Sequence, residues 1–323
     1  MGDILMTTPA VRALREGFPS ARLVYAVEEP FRGLVEGSPM LDEVLVLPTH
    51  PDLRTFFGIL RRIRRERFDA VLDFHGGPRA FQMSLFSSAG IKIGYEVKFK
   101  SWFYTQTVPR TPPTGPIHSV VNHMKLPEAL GVCVPPGRLE MVPATAEDAG
   151  QVRSHLEACG LREGGYIVLH ISAGNRFREW GGGHIRRLIQ LLQQRTRAGV
   201  VLVGGPEDRA EAETIRQGVP AVCSLTGDIN LPQLHWLISR ARLFIGADSG
   251  PMHMAATTST PIVALFGPTL PDNFAPWKAE ALEIQNDFDC RPCRQKKCVH
   301  QDFRCLQSIT PEDVLQACLT YLT

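Results

Sequence analysis

Four short runs in the second half of the chain, Tyr166 to His170, Gly199 to Val203, Leu243 to Ile245 and Pro261 to Phe266, are apolar without alternation. A strand with one wet face alternates polar and apolar residues, so unbroken runs of this length imply strands covered on both faces. Parallel sheets flanked by helices have that property. Helical segments between the runs, such as Gly183 to Arg195, supply the crossovers that parallel strands require. The first half has the same rhythm, with strands at Leu23 to Val27, Glu43 to Leu47 and Ala70 to Phe74. The fold class is therefore α/β, with two doubly wound domains. A length of 323 residues at 44% hydrophobic content exceeds what one core normally organises. The loose stretch from Val134 to Pro143 marks a boundary giving domains 1–144 and 145–323, with a linking helix from Ala146 to Cys159. A second break lies between Pro109 and Pro116, where four prolines and a glycine interrupt any regular element.

Several function classes drop out on composition. No apolar run approaches the roughly 20 residues that span a bilayer, and Met1-Gly2-Asp3 lacks the charged-then-apolar order of a secretory signal, so a cytoplasmic protein is expected. The formal net charge is only +2, with neither half strongly basic, which argues against nucleic acid as a partner. Eight cysteines in that compartment are expected as reduced thiols or metal ligands rather than disulfides. Cys290, Cys293, Cys298 and Cys305 are closely spaced; thiolates so placed can hold a tetrahedral zinc, or the segment is a loop of reduced or oxidised cysteines. Pro51 to Phe68 carries Leu53, Phe56, Phe57, Leu60 and Ile63 at helical spacing, surrounded by Arg54, Arg61, Arg62, Arg64, Arg65 and Arg67. Its basic face is either solvated or rests on anionic lipid.

Ligands of doubly wound sheets bind beyond the carboxyl ends of strands, which directs attention to four turns. After Leu243 to Ile245 comes Gly246-Ala247-Asp248-Ser249-Gly250-Pro251-Met252-His253, a strand-to-helix turn suited to phosphate through backbone N–H groups and the Ser249 hydroxyl. Asp248 either caps the helix or faces a sugar or ribose hydroxyl, and His253 is a ligand or a packed histidine. After His170 comes Ser172-Ala173-Gly174-Asn175-Arg176-Phe177-Arg178-Glu179-Trp180, where Arg178 suits a phosphate. The alternative is a solvated loop with Trp180 packed on the next helix. Gly204-Gly205-Pro206-Glu207-Asp208 offers carboxylates for ribose hydroxyls or for a cap. At the N-terminus, Asp3 opens a helix, where a carboxylate is either a general base or a charge favoured by the dipole. Arg79, just after Asp73-Phe74-His75-Gly76-Gly77, suits an acidic acceptor sugar or merely starts a helix. His75 is equally a contact or a loop residue.

Five of these pieces stand in a telling order. Gly2-Asp3 to Pro9, Phe68-Asp69 to Gly77, the arginine-tryptophan loop at 178 to 180, Gly204 to Glu207 and Asp248 to His253 together resemble glycosyltransferase family 9, the ADP-heptose:lipopolysaccharide heptosyltransferases. Ala264 to Thr269 and the cysteine-rich tail are similar too, so the resemblance covers nearly the whole chain. It implies a GT-B fold, two Rossmann-like domains facing across a cleft, with the nucleotide sugar on the C-terminal domain and the acceptor on the N-terminal one. It further implies that Asp3 deprotonates the acceptor, that Arg178 stands where the family has lysine against the diphosphate, and that Ser249, Gly250 and His253 form the diphosphate turn with Asp248 facing the sugar. The implied activity is inverting transfer of heptose from ADP-heptose to a lipopolysaccharide inner-core acceptor, with no metal and no cofactor beyond the donor. The implied setting is a monomer meeting a lipid-linked saccharide at the inner face of the inner membrane. Members carry a strand before the Gly-Asp pair, so a first strand is expected to be missing or to lie upstream. Other readings are a transferase or epimerase acting on another nucleotide sugar, and a catalytically silent nucleotide-sugar-binding protein.

Overall fold

A computed structural model describes residues 1–97, 101–110 and 116–322, so most of the proline-rich break lies outside the described residues. Contacts divide the chain into a front unit, Asp3–Glu140, and a rear unit of Met141–Thr323 together with Met1–Gly2.

The front unit runs α1 (Gly2–Gly17), β1 (Val24–Glu28), β2 (Glu43–Leu47), α2 (Leu53–Glu66), β3 (Ala70–Leu72), α3 (Pro78–Phe86), β4 (Ile91–Tyr95), β5 (Gln106–Val108) and α4 (Ser119–Glu128). All its ladders are parallel. They form two sheets, β1-β2 and β3-β4-β5, with no ladder joining them among the described residues. Helix α1 buries Leu5, Met6, Ala10, Ala13 and Leu14. Pro9 inside it has no N–H for the Leu5 carbonyl, and the Thr8 hydroxyl donates to that oxygen instead at 2.7 Å.

Helix α2 starts on Asp52, whose carboxylate accepts the Thr55 N–H at 2.7 Å, and ends on Arg67 at φ 51°. The expected apolar face needs correction. Leu60 and Ile63 are buried and Phe56 and Ile59 half-buried, but Leu53 is 76% exposed and Phe57 61% exposed. Positions 56, 59, 60 and 63 follow the i, i+3, i+4, i+7 pattern of one stripe, while 53 and 57 lie on the adjacent stripe among arginines. Arg62 pairs with Glu43 and Glu66, whereas Arg54, Arg61, Arg64, Arg65 and Arg67 are exposed without ion pairs among the described residues.

The rear unit runs α5 (Ala146–Ala158), β6 (Tyr166–His170), α6 (Gly182–Arg195), β7 (Gly199–Val203), α7 (Arg209–Arg216), β8 (Val222–Ser224), α8 (Leu231–Ser239), β9 (Leu243–Ala247), α9 (Gly250–Ala255), β10 (Ile262–Phe266), α10 (Pro271–Phe274), β11 (Ala281–Gln285), α11 (Arg304–Gln307) and α12 (Pro311–Leu322). Its six strands form one parallel sheet in the order β11-β10-β9-β6-β7-β8. Every residue of β6, β9 and β10 is buried, as their apolar runs require. One face packs Ile167, Leu169, Val200, Leu202, Ile245 and Val263 against Ile185, Leu188, Leu192 and Val314. The four strands not foreseen, β4, β5, β8 and β11, are short or carry polar positions, so they lack the unbroken apolar signature. The expectation of reduced thiols or metal ligands rather than disulfides is overturned for one pair. Cys159, capping α5, and Cys223, in β8, form a disulfide at a Cα separation of 5.7 Å across 64 residues of sequence.

Substituting a buried aliphatic costs the transfer energy plus a cavity, so Ile63→Ala is expected to destabilise the front unit by about 2–4 kcal/mol, against about 0.5 kcal/mol or less for Leu53→Ala. Equal costs in urea denaturation would mean that the wrong stripe of α2 has been placed against the core.

Candidate active site

The order of the rear sheet places its switch point between β6 and β9. From β6 the chain builds outward through β7 and β8, then returns to β9 and builds the other way. Loops leaving such neighbours diverge and open a crevice at the carboxyl ends of the strands. Two of the turns singled out in the sequence leave β6 and β9, so the topology brings them together.

After β9, Asp248 is 2% exposed and does not cap a helix, because Ser249 takes the cap position. Its Oδ2 accepts the Thr269 hydroxyl at 2.7 Å and lies 3.3 Å from the Arg178 guanidinium; His253 Nε2 lies 3.8 Å from its Oδ1. Ser249 is extended, and its Oγ turns to His170 Nδ1 at 3.3 Å instead of capping α9. Helix α9 is only six residues long, with Pro251 in its first turn lacking an N–H. The amides of Gly250 and Met252 are thus the donors that α9 itself leaves over, and a dipole this short adds little. His253 is 3% exposed and packed in the first turn.

After β6, the loop turns at Gly174 with φ 63°, a left-handed conformation that a side chain would oppose. Asn175 then caps a short 3-10 turn by accepting the Phe177 N–H at 3.1 Å, which delivers Arg178 to the crevice. Arg178 Nε donates to Gln295 Oε1 at 2.8 Å and Nη1 reaches the Asp248 carbonyl at 3.4 Å. Nη2 has no protein partner among the described residues. Trp180 is buried, donates to the Ile309 carbonyl at 2.8 Å and stacks on His184 of α6, so it packs on the next helix.

Between Ser172 and the β7 turn the tie is Asp208, one of the two carboxylates that its motif offered. Its Oδ2 accepts the Ser172 hydroxyl at 2.6 Å and the Gly205 N–H at 2.7 Å. Glu207, the neighbouring carboxylate of that motif, is exposed at the carboxyl end of β7. Ala173 is half-buried beside Ser172. Missed were Gln295, Thr269 and Arg291, whose contacts span many residues of sequence. Among the described residues no group of three or more His, Cys, Asp or Glu side chains is arranged to hold a metal. Cys290, Cys293, Cys298 and Cys305 are free thiols. Burial works to raise Cys298, but N–H groups of Phe303, His300, Gln301 and Asp302 outweigh it and hold its pKa below the ordinary value.

In the front unit, Asp3 is exposed in the first turn of α1, and its charge acts on the half-buried Tyr25 and on the buried Tyr95 and His123. Asp73, 3% exposed, ends β3 by accepting the His75 N–H at 3.0 Å and the Gly76 N–H at 2.7 Å, and it takes the Tyr104 hydroxyl at 2.6 Å. A Cβ at Gly94 would come within 2.5 Å of the Tyr104 ring, so glycine lets that ring lie on β4 and reach Asp73. His75 is exposed, its Nδ1 accepting the Gly77 N–H at 3.1 Å. Arg79 donates to Glu28 at 2.8 Å and to the Pro48 and Thr49 carbonyls, which braces the ends of β1 and β2.

His170 and His123 are both pushed down to about 4, chiefly by burial, which favours the neutral ring. Between about pH 4 and the ordinary histidine value near 6.5 the unfolded chain binds more protons at these sites, so stability rises with pH across that window and is complete above it. Thermal denaturation from pH 4 to 7 is expected to show this rise, with a shallower slope in His170→Asn; a pH-independent melting temperature would exclude neutral buried rings.

The profile of glycosyltransferase family 9 (heptosyltransferase) matches residues 57–303. Lipopolysaccharide heptosyltransferase 3 of Escherichia coli is 25% identical over 98% of this chain and 95% of its own length. Among solved structures, a family 9 glycosyl transferase from Veillonella parvula superposes with a TM-score of 0.88 at 23% identity, covering 100% of this chain and 94% of that one. E. coli ADP-heptose lps heptosyltransferase II gives 0.80 at 20% identity, over 99% and 95% of the two chains. The fold these share is GT-B, with two Rossmann-like domains. The match over most of the chain shows that this protein belongs to glycosyltransferase family 9 and is a glycosyltransferase.

Proposed function

We propose that the protein transfers heptose from ADP-heptose to a sugar of the lipopolysaccharide inner core, with inversion at the anomeric carbon and without a metal. The observation that carries this reading is the Arg178 guanidinium, fixed by Gln295 and Asp248 at the switch point of the rear sheet with Nη2 open. That is the placement of a cation meant for a diphosphate. The donor would lie with its diphosphate against Arg178 and the Ser249, Gly250 and Met252 turn, beside the Ser172-Ala173-Gly174 loop, and with its ribose near Glu207. Asp248 and His253 would underlie the sugar end.

In the proposed step the acceptor hydroxyl oxygen forms a bond to the anomeric carbon from the face opposite the diphosphate, and its proton passes to the Asp3 carboxylate. The bond from the anomeric carbon to the β-phosphate oxygen breaks, and its electron pair leaves with ADP. Arg178 offsets the charge that develops on the leaving group, the part a metal plays elsewhere. The acceptor would be held by the front unit, where Asp73 and Tyr104 fix the loop that carries His75 and precedes Arg79.

Work on a lipid-linked acceptor at the inner face of the inner membrane is part of the proposal. No helix among the described residues is long and apolar enough to cross a membrane. Exposed Leu53 and Phe57 beside the five unpaired arginines of the α2 region suit peripheral contact with anionic lipid. The protein is proposed to act as a monomer, without nucleic acid.

Two measurements test these readings. In a transfer assay with ADP-heptose, UDP-sugars and GDP-sugars, turnover is expected with ADP-heptose alone, and Asp3→Ala is expected to lower it by about 10²–10⁴-fold while ADP still binds. Turnover with another donor would replace the proposed sugar, and ADP binding without turnover would make the protein a silent binder. In sedimentation, vesicles containing phosphatidylglycerol are expected to carry the protein down and neutral vesicles to leave it in solution. Replacing Arg61, Arg64 and Arg65 together with alanine should abolish the difference, and an unchanged difference would remove α2 from the membrane contact.

A further inference from the structure

The segment between β11 and α11, residues 286–303, adds no strand to the sheet, yet it reaches the donor crevice at several points. The Cys293 N–H donates to the Pro268 carbonyl at 3.1 Å. Arg291 Nη2 donates at 2.8 Å to the carbonyl of Thr269, the residue whose hydroxyl holds Asp248. Beyond these anchors the chain places Gln295 at φ 54°, and its Oε1 accepts from both Asn175 Nδ2 and Arg178 Nε, each at 2.8 Å. One amide oxygen therefore bridges the cap of the 3-10 turn and the guanidinium that the turn presents.

We propose that Gln295 is a positioning residue for the donor diphosphate, acting through Arg178, and that the cysteine-rich segment carries it to the crevice. The proposal rests on the reading of Arg178 as the diphosphate contact. A guanidinium has five N–H groups in a rigid plane, so fixing two nitrogens fixes the direction of the third. Asp248 takes Nη1 on one side and Gln295 takes Nε on the other, which leaves Nη2 without a protein partner among the described residues. Without Gln295, the strongest partner left to Arg178 is the buried Asp248 carboxylate. The guanidinium would then be drawn into a fuller pairing and away from an incoming anion. A neutral amide suits this task where a carboxylate would not. It accepts the Nε–H without cancelling the positive charge that the diphosphate needs.

The test uses the full chain and four probes, ADP, GDP, UDP and inorganic pyrophosphate, with binding followed by calorimetry. Gln295→Ala is expected to weaken whichever of these the unaltered protein binds by about tenfold, the scale of one hydrogen bond to a charged group. The melting temperature should stay within about 2 °C, since the side chain is half-buried at the surface. In turnover the loss should appear in KM for the donor, with KM for the acceptor unchanged. Arg178→Ala should weaken binding as well, and adding Gln295→Ala to it should cost nothing further. Gln295→Glu should also bind more weakly than the unaltered protein, although its oxygen still accepts from Arg178. Equal affinity of Gln295→Ala and the unaltered protein would overturn the proposal. So would additive losses in the double variant, which would mean that Gln295 acts independently of Arg178. Binding of pyrophosphate but not ADP would sink the donor reading, while a loss of about tenfold on pyrophosphate in Gln295→Ala would still support the role of Gln295 and an equal affinity would overturn it. Failure to bind any of the four would overturn both.

Discussion

The buried carboxylate of Asp248 organises the rear unit's crevice. A charge at 2% exposure is tolerable only when its oxygens are satisfied, and here the partners come from separate parts of the chain. Thr269 arrives from the loop after β10, Arg178 from the loop after β6, and His253 from the turn of α9 itself. The requirement to satisfy one anion thus pulls together the loops of β6, β9 and β10. Losing any of these partners leaves the carboxylate less satisfied where water hardly reaches it, so the constraint is strong.

Much of this architecture was written in the sequence as pattern. The unbroken apolar runs of β6, β7 and β10 announced strands covered on both faces, and the segments around them found helices at nearly their observed bounds. Short or polar strands were silent, because β8 has three residues and β11 presents Glu283 to solvent, and neither carries a period long enough to register. Helix α2 shows the limit of periodicity in another way. Five apolar residues at helical spacing belong to two stripes, and the residues packed around Ile63, among them Leu45, Leu47, Phe68 and Met83, decide which stripe is covered. That information is tertiary and does not reside in the segment.

The site was legible as places more than as roles. The turns after β6 and β9 could be named because strand ends are where doubly wound sheets bind ligands, and the switch point brought them together. What each side chain does there depended on partners far off in sequence. Asp208 rather than Glu207 ties the β7 turn to Ser172, a choice between adjacent carboxylates that no spacing rule makes. Gln295 lies 117 residues from Arg178, and its backbone conformation is set by a loop without periodicity. Arg79, by contrast, has the local position expected of it, but Glu28, Pro48 and Thr49 engage its guanidinium as a brace.

The link between Cys159 and Cys223 has a consequence for how the rear unit fluctuates. Its covalent loop encloses β6, α6, β7 and α7 and ends in β8, so it staples one wing of the sheet and leaves β9, β10 and β11 outside. A cross-link over 64 residues removes about 4 kcal/mol of chain entropy from the opened state of the enclosed segment in the loop-closure description. Partial opening is thereby steered to the unstapled wing, which carries Asp248, Thr269 and the cysteine-rich segment. Amide exchange would register this as a gradient of protection falling from β7 toward β11, and chemical reduction would flatten it. The thiol chemistry of this pair would then set which half of the crevice breathes.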